Sequence, residues 1–345
     1  MTVLTPADAP ATVRRTDARP GTVLDAARVV ARQHRTMGWL LGALTVLAVG
    51  ALIVVRLRAD GIAADFATTG CSVDNTTRAC GGAVRSYFDS EWFASRLQTY
   101  LGLLLMALPA VFGAFMAGPA VGRELESGTY KLAWSQAVSP ARWLAAKLAV
   151  PAAAAVTATL VLTAASAWYR PENQADRPYV LAWYGPTLYG SLGTVPFALA
   201  LFGLAVGTLA GVLLRRTVAA MAATVVTVGA VVAGQVRFRS HLWPTEVYES
   251  ALNTSNPAGF PTESWITWSG YVTADGTRIT DPCGGLGEKT DIETCMDLSD
   301  VTGFFYLHHP ESHFWPLQLV ESGILLAAAL VAVAVAFRLL RRLHG

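Results

Sequence analysis

Six stretches of this chain, residues 38–55, 97–117, 148–167, 188–214, 217–236 and 316–337, are apolar apart from a few polar positions. Each is about 18 to 27 residues long, enough for a helix rising 1.5 Å per residue to cross a hydrocarbon core about 30 Å thick. Backbone groups in lipid must be satisfied within the segment itself, so these runs read as six transmembrane helices. Composition agrees, with 53% of the 345 residues hydrophobic and 14% charged, against roughly a quarter charged in a soluble domain. The fold class expected is all-α integral membrane. The first run begins only at Gly38, behind a polar leader that carries arginines, and no small-residue cleavage site follows closely. It therefore reads as a span and not as a signal peptide.

An even number of spans leaves both termini on one side. That side carries 15 of the 26 basic residues: six between Arg14 and Arg35, then Arg123, Lys131, Arg142, Lys147, Arg215, Arg216, Arg338, Arg341 and Arg342. It also holds the shorter share of the loop sequence, so the positive-inside rule makes both termini cytoplasmic, in a bacterial plasma membrane. All four cysteines fall on the other side, Cys71 and Cys80 in the first outer loop and Cys283 and Cys295 in the last. Three pairings are open. Local pairs, Cys71 with Cys80 and Cys283 with Cys295, suit two separately folded loops on an oxidising face.

Residues 1–20 lack apolar periodicity and are expected to be a disordered tail. Over 21–37, Arg28, Arg32 and Arg35 recur on one helical face, the pattern of an amphipathic helix lying in the inner interface against membrane lipid. Spans one to five occupy 38–236, with an outer loop at about 56–96 and a polar segment at 118–141. Pro109 and Pro196 should kink the second and fourth spans. Gly203, Gly207 and Gly211 repeat at four-residue steps, which invites close approach of another helix. Residues 237–315 form an outer subdomain of mixed structure, with Asp275-Gly276 as a turn signal. The last span and a basic tail fill 316–345.

Few motifs promise chemistry. The run from Cys283 to Thr290 resembles a phosphate loop, but Glu288 separates Gly287 from Lys289 and breaks the required spacing. His308, His309, Glu311 and His313 cluster, yet Pro310 interrupts any shared helical face; they read as interfacial histidines and not as metal ligands. Glu321, beside Gln318 and Ser322, lies about 9 Å inside the last span. It either lines a substrate path, ties the outer loop to the bundle, or snorkels to the interface. No catalytic constellation stands at reacting spacing, so an enzyme is not the first expectation, and no nucleic-acid partner is expected.

The polar run 118–147, GPAVGRELESGTYKLAWSQAVSPARWLAAK, joins the second and third spans on the cytoplasmic side. Gly118-Pro119 should end the second span, Thr129 to Ala137 can form a short helix, and Ser139-Pro140 should open the third. Glu124-x-Glu126-x-Gly128-Thr129, then Ser139-Pro140-x-Arg142 and Lys147, resembles the signature of type-2 ABC transporter permeases. The approach to the last span, Phe305-Tyr306 through His309-Pro310 to Glu321, is similar to that of actinobacterial members. The resemblance implies a permease whose ATPase is a separate chain holding ATP and Mg²⁺, with a second permease chain, a homodimer, completing the unit. It also implies that Glu124, Glu126, Gly128 and Thr129 lie at the ATPase contact and that Arg142 and Lys147 support it. Reversing charge at both glutamates should uncouple hydrolysis from transport without unfolding the chain. Export of a lipophilic antibiotic, other natural product or lipid is the first reading. A membrane-anchored receptor using 237–315 is the second, and an enzyme at the outer face the third.

Overall fold

The structure, a computed structural model, describes residues 28–32, 35–74, 77–131, 139–170, 177–252, 263–284 and 292–342. The expected tail 1–20 and the first part of the amphipathic helix lie outside them, as does 132–138 of the polar segment; residues 28–32 are helical. Among the described residues, six helices are long and apolar enough to cross a membrane.

Helix α1 (Arg35–Thr68) is 34 residues long, about 50 Å, and outreaches the bilayer. The second span starts at Gly81 with helix α2 (Gly81–Val111). Residues 56–68 and 81–96, expected as loop, are therefore mostly helix. They form a projecting hairpin whose tip is closed by the Cys71–Cys80 disulfide. Phe66 stacks on Tyr87 at 4.7 Å within it. Polar residues such as Arg56 and Asp60 ended the apolar run without ending the helix, because they pair at i,i+4 on its surface, 2.6 Å apart.

The second span also runs further than Gly118-Pro119. After α2 come a π-helical turn, Phe112–Ala117, and helix α3 (Gly118–Ser127), a continuous rod of 47 residues. Pro109, lacking an N–H, precedes the widened turn, and such turns are a recognised cause of helix bending. Pro119 falls in the first turn of α3, where a missing N–H costs little. Gly128 ends α3 with φ +75°, a left-handed conformation that glycine adopts without a Cβ clash.

Helix α4 (Pro140–Tyr169) opens as expected. Ser139 caps it by accepting from the Arg142 backbone N–H, and Pro140 takes the first position. The short helix α5 (Pro186–Tyr189) then precedes helix α6 (Val195–Leu214). The fourth span thus begins at Val195 and not at 188, and Pro196 starts the helix where a kink was expected. Helix α7 (Thr217–Phe238) follows after only two residues, with Arg215 at φ +51°.

The chain is not all-α. Strands β1 (Glu246–Ala251), β2 (Trp265–Thr273), β3 (Arg278–Ile279) and β4 (Val301–His309) form an antiparallel sheet in the order β1-β4-β2-β3. Asp275-Gly276 turns β2 into β3, with Gly276 at φ +81°. Cys283 bonds Cys295 on helix α8 (Ile292–Leu298), tying the sheet's far end. Helix α9 (Phe314–Arg342) returns through the bundle.

Helix α6 lies at the centre, walled by the second span, α4, α7 and α9. Gly203, Gly207 and Gly211 face the second span. Cβ atoms there would stand 2.1 Å from the Pro109 carbonyl oxygen, 2.2 Å from that of Gly113 and 3.0 Å from that of Gly118. The backbones therefore touch across the π turn. By contrast, α1 and α7 expose Leu40, Val46, Leu47, Val218 and Val226, the apolar faces that lipid covers.

Candidate functional site: the joint built by residues 118–147

Helix α3 carries the two glutamates of the polar segment, two residues apart, so their side chains diverge by about 200° around the axis. Glu124 turns toward α4. Its Oε1 accepts from Lys147 Nζ at 2.7 Å and its Oε2 from Trp143 Nε1 at 2.9 Å. Trp143 and Lys147 share one face of α4 at i,i+4, and the ammonium lies 5.3 Å from the indole centre. Lys147 is only 4% exposed, so Glu124 neutralises a cation that water does not reach.

Glu126 turns the other way, toward α7. Its Oε2 accepts from both the backbone N and Oγ1 of Thr217, at 3.0 and 2.8 Å. Arg216, in the N-cap position, offers no capping side chain. A carboxylate from another helix thus takes the N-terminal N–H of α7, where the helix dipole also favours negative charge.

Between them, Val121 and Leu125 pack with Trp143 and Leu144 of α4, Val212 of α6, and Ala336 and Leu340 of α9. Ten residues of α3 therefore hold four other spans. Thr129 Oγ1 meets Ser127 Oγ at 2.9 Å beside Gly128, and Arg123, Lys131 and Arg142 are exposed around the joint. Residues 118–147 place Glu124, Glu126, Gly128, Thr129, Arg142 and Lys147 at one end of the bundle. Trp143 and Thr217 complete the joint and were missed from sequence. Trp143 was legible four residues before Lys147, whereas Thr217 lies 91 residues from Glu126.

One expectation changes on this geometry. Charge reversal at Glu124 would leave Lys147 buried beside a new cation, so it would disrupt the fold as well as any coupling. Glu126 is exposed and is the cleaner position.

At the opposite end, Gln318 and Glu321 are buried. Gln318 Oε1 accepts from the backbone N of Thr194 and Val195 at 3.0 and 2.9 Å, and its Nε2 donates to the Tyr189 carbonyl. It caps α6 from α9. Glu321 does not snorkel: 2% exposed, it pairs with Arg239, 4% exposed, at 3.1 Å. The Arg239 guanidinium lies 3.8 Å from the Tyr189 ring centre. The start of the sheet subdomain is thereby fastened to the last span.

The histidines serve the same junction. His309 Nε2 lies 3.0 Å from the Ser240 carbonyl, which can only accept, so that nitrogen holds the proton. Its Nδ1 is 3.1 Å from His313 Nδ1, and His313 Nε2 is 3.1 Å from Glu246. Among the described residues no group of three His, Cys, Asp or Glu side chains converges for a metal. Burial pushes the His309 imidazole below its ordinary value. A depressed histidine favours the fold above the unfolded pKa, about 6.5, and that stability is lost as pH falls through it. Protection of β4 amides, taken relative to the intrinsic exchange rate at each pH, is expected to fall from pH 7 to 5 as the unfolded chain takes up a proton that folded His309 resists. Protection independent of pH would contradict the buried neutral imidazole.

The family model described as ABC-2 membrane transporter related matches residues 42–239, more than half of the chain. The chain belongs to the ABC-2 membrane transporter related family. No curated protein and no solved structure matches it. As an ABC-2 protein it is a multi-pass membrane component of a transporter, and membership implies association with an ABC ATP-binding subunit. The matched ABC-2 region holds the α3 joint, the glycine contact and Arg239. It stops before the sheet, so Gln318 and Glu321 lie outside it.

Proposed function

We propose that this chain is the permease subunit of an ATP-driven exporter for a lipophilic compound, an antibiotic, other natural product or lipid. A separate ATP-binding subunit docks on the end carrying residues 118–147, and that end faces the cytoplasm. The basic residues at that end and the disulfides at the other support the orientation. Two copies form the working unit. ATP and Mg²⁺ belong to the partner, whose hydrolysis supplies the free energy; this chain transmits it.

The observation that carries this reading is the divergence of Glu124 and Glu126 from one short helix onto α4 and α7. A push on residues 128–139 enters α3 at its C-terminal end and reaches both helices through charge-assisted bonds. It also travels along the second span to the π turn, which packs on the α6 glycines. π turns recur at functional sites, and here one joins the loop end to the membrane centre. Two packings of such a backbone contact are the kind of bistable element that domain motions need.

Glu126→Ala tests it in the complex reconstituted from the chain's own host. The change removes the carboxylate that caps α7 and leaves the Glu124–Lys147 pair intact. Cargo moved per ATP hydrolysed is expected to fall about fivefold or more, the lower end of the usual range for coupling between sites, at unchanged membrane yield. An unchanged ratio would sink the assignment.

A further inference from the structure

At the disulfide end, α1, α2, α4 and the 177–181 loop line a half-open cavity of about 60 Å³ that the transport joint does not use. Ala59, Val180, Leu181 and Leu188 make much of its wall apolar. Gln98 also lines it, 4% exposed, and its Oε1 has no hydrogen-bond partner. Among the described residues it is the one buried, unpartnered side-chain atom of that wall.

The orientation of this amide is fixed by a relay. Ser191 Oγ donates its only proton to the Leu188 carbonyl at 2.8 Å. Ser166 Oγ, 2.9 Å from Ser191 Oγ, must then donate to it. That leaves Ser166 only its lone pairs for Gln98, so Gln98 Nε2 donates to it, at 2.6 Å. The remaining atom, Oε1, is an acceptor in need of a donor, and leaving it unmet costs more than an ordinary hydrogen bond contributes.

Charge narrows the ligand further. Arg56, Arg170 and Arg177 line the cavity against the single carboxylate of Glu91. Asp60 bonds Arg56 and Arg177 from beside it, and Glu91 bonds Arg177 at 3.2 Å. The net positive wall disfavours an ammonium. A carboxylate or a fully ionised phosphate has no proton to give Gln98. Tyr179, on the lining loop, holds φ +60°, a strained conformation of the kind that clusters at ligand sites.

We propose that this cavity binds the uncharged hydroxyl or amide end of a lipophilic molecule, with Gln98 Oε1 accepting its proton. The volume suits such an end group, being several times the 10–15 Å³ or so that one water needs. The site stands independently of the transport reading, since it requires neither ATP nor a partner chain.

The full chain in phosphatidylcholine nanodiscs, photolabelled with a diazirine-bearing octanol and mapped by peptide mass spectrometry, tests it. Label is expected on the 178–181 loop or Tyr169, and Gln98→Leu should raise the half-saturating concentration about tenfold. The matching diazirine octane should show no dependence on Gln98. Competition by dioctanoylglycerol mixed into the bilayer would assign the site to a lipid headgroup; competition by aqueous short-chain alcohols alone would assign it to a solute. If Gln98→Leu fails to fold, Leu181→Trp, which fills the cavity and spares the relay, must suppress the label. Labelling unchanged in folded Gln98→Leu, or confined to lipid-facing residues, would overturn the proposal.

Discussion

Gly203→Ala and Gly207→Ala are each expected to prevent the bundle from assembling. A methyl group at 203 would stand 2.1 Å from the Pro109 carbonyl oxygen, and one at 207 would stand 2.2 Å from that of Gly113. Both obstacles are backbone, so no rotamer change relieves them. The helices would have to separate at the centre of the protein, where overpacking costs about 1–3 kcal/mol and more when neighbours cannot move. The opposing Gly113 is equally tight, since a Cβ there would stand 2.2 Å from the Gly203 carbonyl oxygen, so separation at one point opens the next. Gly229→Ala and Gly234→Ala on α7 are the controls. Nothing lies within 4 Å of a Cβ at either, and helix propensity favours alanine by about 1 kcal/mol. Monodisperse yield and thermal unfolding in detergent read the outcome. Two tolerated substitutions at 203 and 207 would mean that α6 and the second span do not meet backbone to backbone.

The second large effect belongs to the pair at the other end. Glu321→Leu leaves Arg239 buried without its carboxylate, a change that costs about 3–5 kcal/mol when a buried pair is broken from one side. Adding Arg239→Met removes the stranded charge, and the double variant is expected to recover most of the loss, because a buried pair contributes little over apolar residues of similar volume. Tyr189 then loses its cation, worth about 0.5–2 kcal/mol. A double-mutant cycle on thermal unfolding measures the coupling. Additive losses would contradict the ion pair.

The contrast between these two sites explains what local sequence can carry. The six spans were legible because lipid forces every crossing segment to be long and apolar, and Gly203, Gly207 and Gly211 advertised a contact by their spacing. The partner face did not show, since a carbonyl at Pro109 leaves no trace in residue types. Helix ends were harder. Arg56 and Asp60 made the top of α1 look like loop, and the apolar run from 188 hid the break at Gly190 and Gly193, so Pro196 read as a kink. Gly193, at φ +67° beside Gln318, was the available warning. The sheet emerged only as mixed structure, because β2 carries a bulge between Ile266 and Trp268 that blurs its alternation. At the joint, the residue types of 124–147 marked the segment as a polar interruption, and the structure shows which helices Glu124 and Glu126 meet. Thr217, the partner of Glu126, and at the other end Arg239 and Thr194, the partners of Glu321 and Gln318, are 82 to 124 residues away from the side chains they meet, beyond any periodicity.

Photo-crosslinking in the native membrane tests the central claim most directly. A photoreactive residue replaces exposed Arg123 on α3 in one version of the chain and exposed Thr277 in the β2–β3 turn in another. The expected result is an adduct with an ATP-binding subunit from position 123 and none from 277. An ATPase adduct from 277, or none from 123 while the chain is folded in the membrane, would contradict the account.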